Sequence, residues 1–308
     1  MWDDGAAELL GDAPADARPL MTQGLMTQGN ATQPELSAML AIHVARVDPH
    51  RWDAARLAPR RARFGLAVLY AFNYEIARIR EVVREPMLGA IRLHWWRETL
   101  AEIFEADTRP AQLRRRHELA APLAEVIRDA KLERPAFDAL IDAREKDLEP
   151  APFPTLADFT SYAERSSAGL IGLAAQVLAP GSIFDGQARA AMREAGLAWA
   201  LTGILRSASV WASQGRNLTP AEFAHDQGLR HEDVAPGAPG FATAAGRLAA
   251  IAATHHRLAR RLGAALPSRA LPALAYVALT PGLLRQPQGL GAFARWASLM
   301  GAVVRGRV

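Results

Sequence analysis

The chain contains no cysteine. Disulfides, thiol nucleophiles and thiolate zinc sites are therefore excluded, and packing and polar contacts alone have to hold the fold. No apolar run approaches the roughly 18 residues that a membrane-crossing helix needs. Alternating strand patterns of useful length and repeats of solenoid period are both lacking. A phosphate-cradling glycine loop is missing too, because Gly289-Leu290-Gly291 has neither a third glycine nor a preceding strand. No Gly-x-Ser-x-Gly elbow occurs. His255 and His256 are adjacent, so they cannot share a helix face as a zinc pair would, and they read as exposed helix histidines. The first residues carry Asp3, Asp4, Glu8, Asp12 and Asp16 and no basic start before an apolar stretch. They read as neither a secretory signal nor a transit peptide, so the expected location is cytoplasmic.

What remains is a chain of 308 residues, half of them hydrophobic and rich in alanine and leucine, with few β-branched runs. That composition favours an all-α fold with a sizeable core. The 36 basic residues are nearly all arginine and outnumber the 32 acidic ones by only four. The excess is read as a mixed, solvated helical surface with no nucleic-acid partner, and an anionic surface is the alternative. Residues 1–32 are poor in periodic hydrophobicity and duplicate the unit Leu20 to Gly24 as Leu25 to Gly29. They are expected to form a loosely attached or disordered tail before one helical domain at 33–303.

Helical periodicity dominates beyond Pro34. Leu36, Met39, Leu40 and Val44 form one stripe, and Phe64, Val68, Phe72, Ile76, Ile79 and Val83 form a longer one. Glu85-Pro86 breaks that helix, and the next is expected from about Ala90 to Phe104 around Leu93, Trp96 and Leu100. Pro110, Pro122 and Pro135 punctuate the helices beyond it. Ala136 to Leu148 reads as helix, ending in a proline-rich turn. Thr155 with Asp158 makes a box-like start for a helix reaching about Leu178. Ala188 to Trp211 reads as one long helix, residues 212–240 as mostly loop, and two or three helices complete the chain.

Several segments carry more than periodicity. They are Leu69-Tyr70-Ala71-Phe72, Leu93-His94-Trp95-Trp96-Arg97, Leu140-Ile141 leading to Asp147-Leu148, Phe153-Pro154-Thr155 with Tyr162, and Leu201-Thr202-Gly203-Ile204-Leu205-Arg206 followed by Gly215-Arg216. In this order and spacing they resemble the squalene/phytoene synthase family, over about Arg60 to Gly228. The resemblance implies an isoprenoid-synthase helical fold around a central cavity. In active members two aspartate-rich motifs face each other there. Each sets carboxylates one helical turn apart, as oxygen ligands for Mg²⁺ that bridges substrate diphosphates.

Both motifs are degenerate in this chain. The first falls on Ala77, Arg78 and Glu81, of which only Glu81 keeps a carboxylate, and the second falls on Ser207 and Trp211. Tyr70, Arg78, Arg97, Tyr162, Arg206 and Arg216 remain as residues that could face phosphate or the cavity, with Arg97 and Arg206 read first as structural ion-pair partners. Asp147 is read as a cap or pairing residue. No metal is expected, with Mg²⁺ reserved for an enzymatic alternative.

Ala71-Phe72-Asn73-Tyr74-Glu75-Ile76-Ala77, Val83-Arg84-Glu85, Arg144-Glu145-Lys146-Asp147-Leu148 and Tyr162-Ala163-Glu164 resemble one branch of the family more closely. It is the branch of the mitochondrial complex I assembly factor with this fold and its bacterial relatives. That likeness implies a non-catalytic role in respiratory complex I biogenesis, with complex I subunits or an anionic membrane surface as partners and an isoprenoid or lipid as a cavity ligand. Two alternatives stand beside it. One is a prenyl-diphosphate condensing transferase with atypical metal ligands. The other is a non-catalytic lipid or phosphate binder using Arg78, Arg80 and Arg84.

Overall fold

The computed structural model describes residues 33–83, 85–105, 113, 117–149 and 151–308. The tail expected at 1–32 lies outside them, as do Arg84, Pro110 and Pro150. Among the described residues every regular element is helical.

Helices α1 (Gln33–Val47) and α2 (Pro49–Ala55) pack beside α3 (Arg60–Ala77). On α1, Leu40 and Val44 are buried, whereas Met39 turns to solvent and leaves the expected stripe. Helix α3 is apolar almost all round from Leu66 to Phe72 and lies at the centre of the core. The single turn α4 (Ile79–Val82) follows it, and then α5 (Pro86–Phe104). Helix α5 begins at Pro86, earlier than the expected Ala90. Proline breaks the previous helix, but in a first turn its missing N–H goes unneeded. Pro122 and Pro135 sit in the same way in the first turns of α6 (Ala120–Ala130) and α7 (Arg134–Leu148).

Thr155 caps α8 (Leu156–Ala163) as its spacing predicts. Its hydroxyl accepts from the Asp158 N–H at 3.1 Å, and the Asp158 carboxylate accepts from the Thr155 N–H at 3.0 Å. The helix then passes through a π turn, Glu164–Ala168, into α9 (Gly169–Leu178). The wider turn lets the Ser166 hydroxyl donate to the Tyr162 carbonyl at 2.8 Å. Helix α10 (Gly186–Ser213) crosses this π turn and runs along α12 (Phe241–Leu262), with the short α11 (Glu222–His225) between them in sequence. 3₁₀ segments at Ser268–Ala273, buried from Ala270 on, and at Ala275–Leu279, mostly buried, lead to α13 (Thr280–Arg285) and α14 (Ala292–Arg305).

The core has two apolar parts. The larger gathers α3, α5, α6, α7, α9 and the C-terminal 3₁₀ segments; the smaller gathers Phe153, Phe159, Leu201, Phe223, Val234 and Leu248. The adjacent histidines depart from the exposed reading. His256 is 9 % exposed, and His255 is half-buried with its Nδ1 2.6 Å from the Glu194 carboxylate. Helix α12 lies against α10 along its length, so one of two neighbouring positions has to face inward.

Close approach of α10 to the π turn depends on Gly196. A Cβ there would stand 2.5 Å from the backbone N and Cα of Ala168. Gly196→Ala adds about 1 kcal/mol of helix propensity, but backbone overlap of this kind costs about 1–3 kcal/mol and cannot be relieved by a rotamer change. Gly196→Ala is expected to lower the urea midpoint, and a raised midpoint would contradict this packing.

Candidate functional site

Arg144 on α7 is the centre of a polar cluster between the two core parts. Its guanidinium donates to the Tyr162 hydroxyl on α8 at 2.9 Å, to the Asp147 carboxylate at 3.1 Å and to the Asn73 side-chain oxygen on α3 at 3.3 Å. Its side chain is 14 % exposed. Burial works against the charge, but Tyr162 and Asp147 outweigh it and raise the pKa. The Tyr162 phenol is pushed up, first by burial and then by Asp147. Arg216, beyond α10, closes the cluster from the other side. It donates to the carbonyls of Asp147 at 3.0 Å and Glu149 at 2.7 Å, which are free because α7 ends there. Burial and nearby Arg80 lower its pKa, while Asp147 and Tyr162 resist.

A second polar centre lies around Arg51 on α2. Its guanidinium meets the Asp48 carboxylate at 2.5 Å and stands 5.0 Å from the centre of the Tyr276 ring. Tyr276 stacks edge-on against Trp199, and His50 does the same from the neighbouring position. Tyr70 is buried beside this group, and its phenol is pushed well up by burial and by Tyr276, against the opposing pull of Arg51. Burial, reinforced by Arg206, lowers His50 to about 4. The field of Arg51 also reaches Arg144, so the two centres face one another electrostatically.

The remaining sequence-selected residues fall around these centres without forming one site. Ala77 is the last residue of α3 and Arg78 follows it at the helix end. Arg78 turns back to Glu75 at 3.3 Å and over the Tyr74 ring at 5.5 Å. Glu81 is exposed on α4, and partial desolvation raises its pKa against the pull of Arg78, with Asp147 adding to the rise. Ser207 donates its hydroxyl to the Gly203 carbonyl within α10 at 2.8 Å. The Trp211 ring lies 5.3 Å from the Arg216 guanidinium. Arg97 bridges α5 to Asp142 and Glu145 on α7, the ion-pair role expected of it. Arg206, expected in the same role, forms no ion pair among the described residues: it donates to the Pro287 carbonyl at 3.2 Å, and burial lowers its pKa against the pull of Asp48. A groove of about 690 Å³ lies on another face, lined by Leu132, Leu173, Gln176, Phe184, Met192 and Arg193. None of the sequence-selected residues reaches it.

The profile of squalene/phytoene synthases matches residues 44–293. The chain belongs to the squalene/phytoene synthase family. A dehydrosqualene synthase solved with ligand shares its fold, with a TM-score of 0.68 over 88 % of this chain and 96 % of that one, at 15 % identity. Identity so low speaks for the fold alone. Among curated proteins, NADH dehydrogenase (ubiquinone) complex I assembly factor 6 from Bos taurus is 28 % identical over 177 residues, and its Homo sapiens counterpart 26 %. These alignments cover 58 % of this chain, which spans about half the length of those relatives.

As a member of this family, the chain can be asked whether its residues fit Mg²⁺. The donor set does not fit. Hard divalent ions need several oxygen ligands, mostly carboxylates. The first motif keeps only Glu81, and the nearby Asp147 is already held by Arg144. The second offers a back-bonded serine and a tryptophan. Among the described residues no three His, Asp or Glu side chains converge in a way that would hold a metal ion. Sequence reasoning missed the Arg144 centre, although Arg144 and Tyr162 both lie in the quoted segments. It also missed Arg51, whose only local signal is Asp48 three residues before it.

Removing Arg144 leaves Asp147, Asn73 and the Tyr162 hydroxyl without their shared donor. Arg144→Leu is expected to cost about 2–4 kcal/mol, below the full cost for a completely buried pair because water reaches its edge, and Tyr162→Phe about 1 kcal/mol. Urea unfolding measures both, and equal small losses would show that Arg144 is not the centre. His50 gives a pH test. Its folded pKa of about 4 lies below the 6.5 of an unperturbed histidine, so the unfolded chain binds the extra proton. The stability it contributes is complete above pH 6.5 and is lost as pH falls toward 4. Glu118, raised to about 7 by burial and by Glu75, acts in the opposite sense, losing its contribution as pH rises toward 7. His50→Gln should therefore flatten the acid-side fall by on the order of 2 kcal/mol, and an unchanged pH profile would contradict the buried neutral imidazole.

Proposed function

We propose that this chain is a catalytically silent member of the squalene/phytoene synthase family that serves the biogenesis of respiratory complex I. The observation that carries this reading is the conversion of both carboxylate motifs to other uses. Arg78 and Arg144 hold the carboxylates nearest the first motif, Glu75 and Asp147. Ser207 and Trp211 supply no charge at the second. Leaving-group ionisation from a prenyl diphosphate needs concentrated positive charge from metal ions. One exposed Glu81 is too little to hold them. No metal cofactor is part of this reading.

The similarity to the bovine and human complex I assembly factor 6 supports the assembly role. The condensing-enzyme alternative draws on Arg97, Arg206 and Glu81. Arg97 is already committed to Asp142 and Glu145, which favours a structural use for it. In the proposed role the fold is a rigid scaffold, and the Arg144 centre preserves the relation of α3, α7 and α8 rather than binding substrate.

A strain lacking this chain tests the reading. Complex I activity in its membranes, and the amount of assembled complex on native gels, should fall several-fold. Wild-type protein and Glu81→Ala should restore them equally. Unchanged complex I in the deletion strain, or failure of Glu81→Ala alone, would count against it.

A further inference from the structure

The small net charge hides a division along the chain. No aspartate or glutamate follows Asp233, whereas the last 75 residues carry nine arginines. Residues 1–233 hold 27 basic and 32 acidic side chains, a net −5. The even spread expected from the overall balance therefore does not hold. Two of the nine arginines are answered from elsewhere: Arg247 by Asp226 at 3.0 Å and Arg295 by Asp53 at 3.4 Å. Arg257, Arg260, Arg261, Arg285, Arg305 and Arg307 are all exposed, with no ion-pair partner among the described residues.

The fold gathers part of this charge beside an apolar stripe. Helix α14 buries Leu299 and Ala302 against the 3₁₀ segment Ala275–Leu279. Its other side presents Phe293, Ala297, Met300 and Val304, at steps of four, three and four, which is one helix face. Phe293 is 87 % exposed, Met300 46 % and Val304 79 %. The Arg305 guanidinium lies over Gly301, at the edge of the stripe. A Cβ on Gly263 would stand 3.4 Å from Arg307, so the end of α12 meets the chain just beyond α14. Arg260 and Arg261 in the last turn of α12 thus join Arg305 and Arg307 at neighbouring helix ends.

From this arrangement we propose that the outer face of α14, with the C-terminal end of α12, docks on an anionic lipid bilayer. A helix with large apolar side chains on one line, cations along its border and no carboxylate on it suits the headgroup boundary, where the apolar stripe enters and the arginines meet phosphates. A polyanion such as nucleic acid would use the arginines but leave Phe293, Met300 and Val304 in water. Helix α14 lies in the plane of the surface, since no helix among the described residues is long and apolar enough to cross a membrane. This face differs from that of Arg78 and Arg80, which the sequence suggested for phosphate together with Arg84, a residue outside the described ones. It also stands independently of the assembly role.

Flotation of the purified full chain with vesicles tests it. The vesicles are phosphatidylcholine alone, or phosphatidylcholine with roughly a third phosphatidylglycerol. Wild-type protein should float with the anionic vesicles and remain behind with the neutral ones. Phe293→Asp/Val304→Asp should weaken binding at least about tenfold. Both positions are exposed, so the circular dichroism and melting temperature should be unchanged. Arg260→Gln/Arg305→Gln should weaken binding and reduce its salt sensitivity. Absence of flotation, equal binding to neutral vesicles, or full binding by the Phe293/Val304 variant would overturn the proposal. So would capture of single-stranded DNA, unaffected by that variant, by a protein that ignores the vesicles. No respiratory complex enters this assay, so its failure leaves the assembly reading untouched, and a failed complementation leaves the docking face.

Discussion

Arg144 carries a charge into a region that would not tolerate it alone, and the arrangement of α3, α7 and α8 depends on how that charge is answered. Asn73, Asp147 and Tyr162 come from three different helices and meet on one guanidinium. A partly buried arginine fixes geometry as well as charge, because its planar fork accepts partners only in set directions. Arg216 adds a second fork that binds the free carbonyls at the end of α7. The π turn at Glu164–Ala168 belongs to the same arrangement: it begins two residues after Tyr162, and Gly196 brings α10 against it. The two apolar parts of the core are joined across this polar seam.

The family's fold is kept, and its centre holds arginines paired with carboxylates. A metal-dependent catalytic site arranges carboxylates to gather cations. Here cationic side chains gather the carboxylates, with Arg51 on Asp48, Arg78 on Glu75 and Arg144 on Asp147. The buried phenols of Tyr70 and Tyr276 and the half-buried one of Tyr162 are all held above the usual tyrosine range, first by burial.

Much of the fold was legible in the sequence, since stripes such as Phe64 to Val83 and caps such as Thr155 with Asp158 are local signals with a fixed period. The start of α5 was misplaced because proline ends one helix and begins the next with the same residue. His256 was misread because adjacency excludes a shared zinc face but does not say which neighbour faces inward. At the site, the expectation that Ala77, Arg78, Ser207 and Trp211 stand in place of family aspartates came from segments that resemble the family's, a signal local in sequence. The pairing of Arg144 with Asn73 could not, because 71 positions separate them and only the packing of α3 on α7 brings them together. The basic C-terminal quarter was visible in composition, but only α14's orientation shows which side chains share its outer face.

In the proposed reading, the rearranged charges leave no prenyl-diphosphate chemistry in this fold. This is tested most directly by incubating the purified protein with farnesyl or geranylgeranyl diphosphate and Mg²⁺, following diphosphate release and extracting apolar products. Neither release nor product is expected above a protein-free blank, beside a catalytically active family member that turns over in the same mixture. Turnover that disappears in Glu81→Ala would contradict the reading, and would mean that ligands other than the family's aspartates hold the metal.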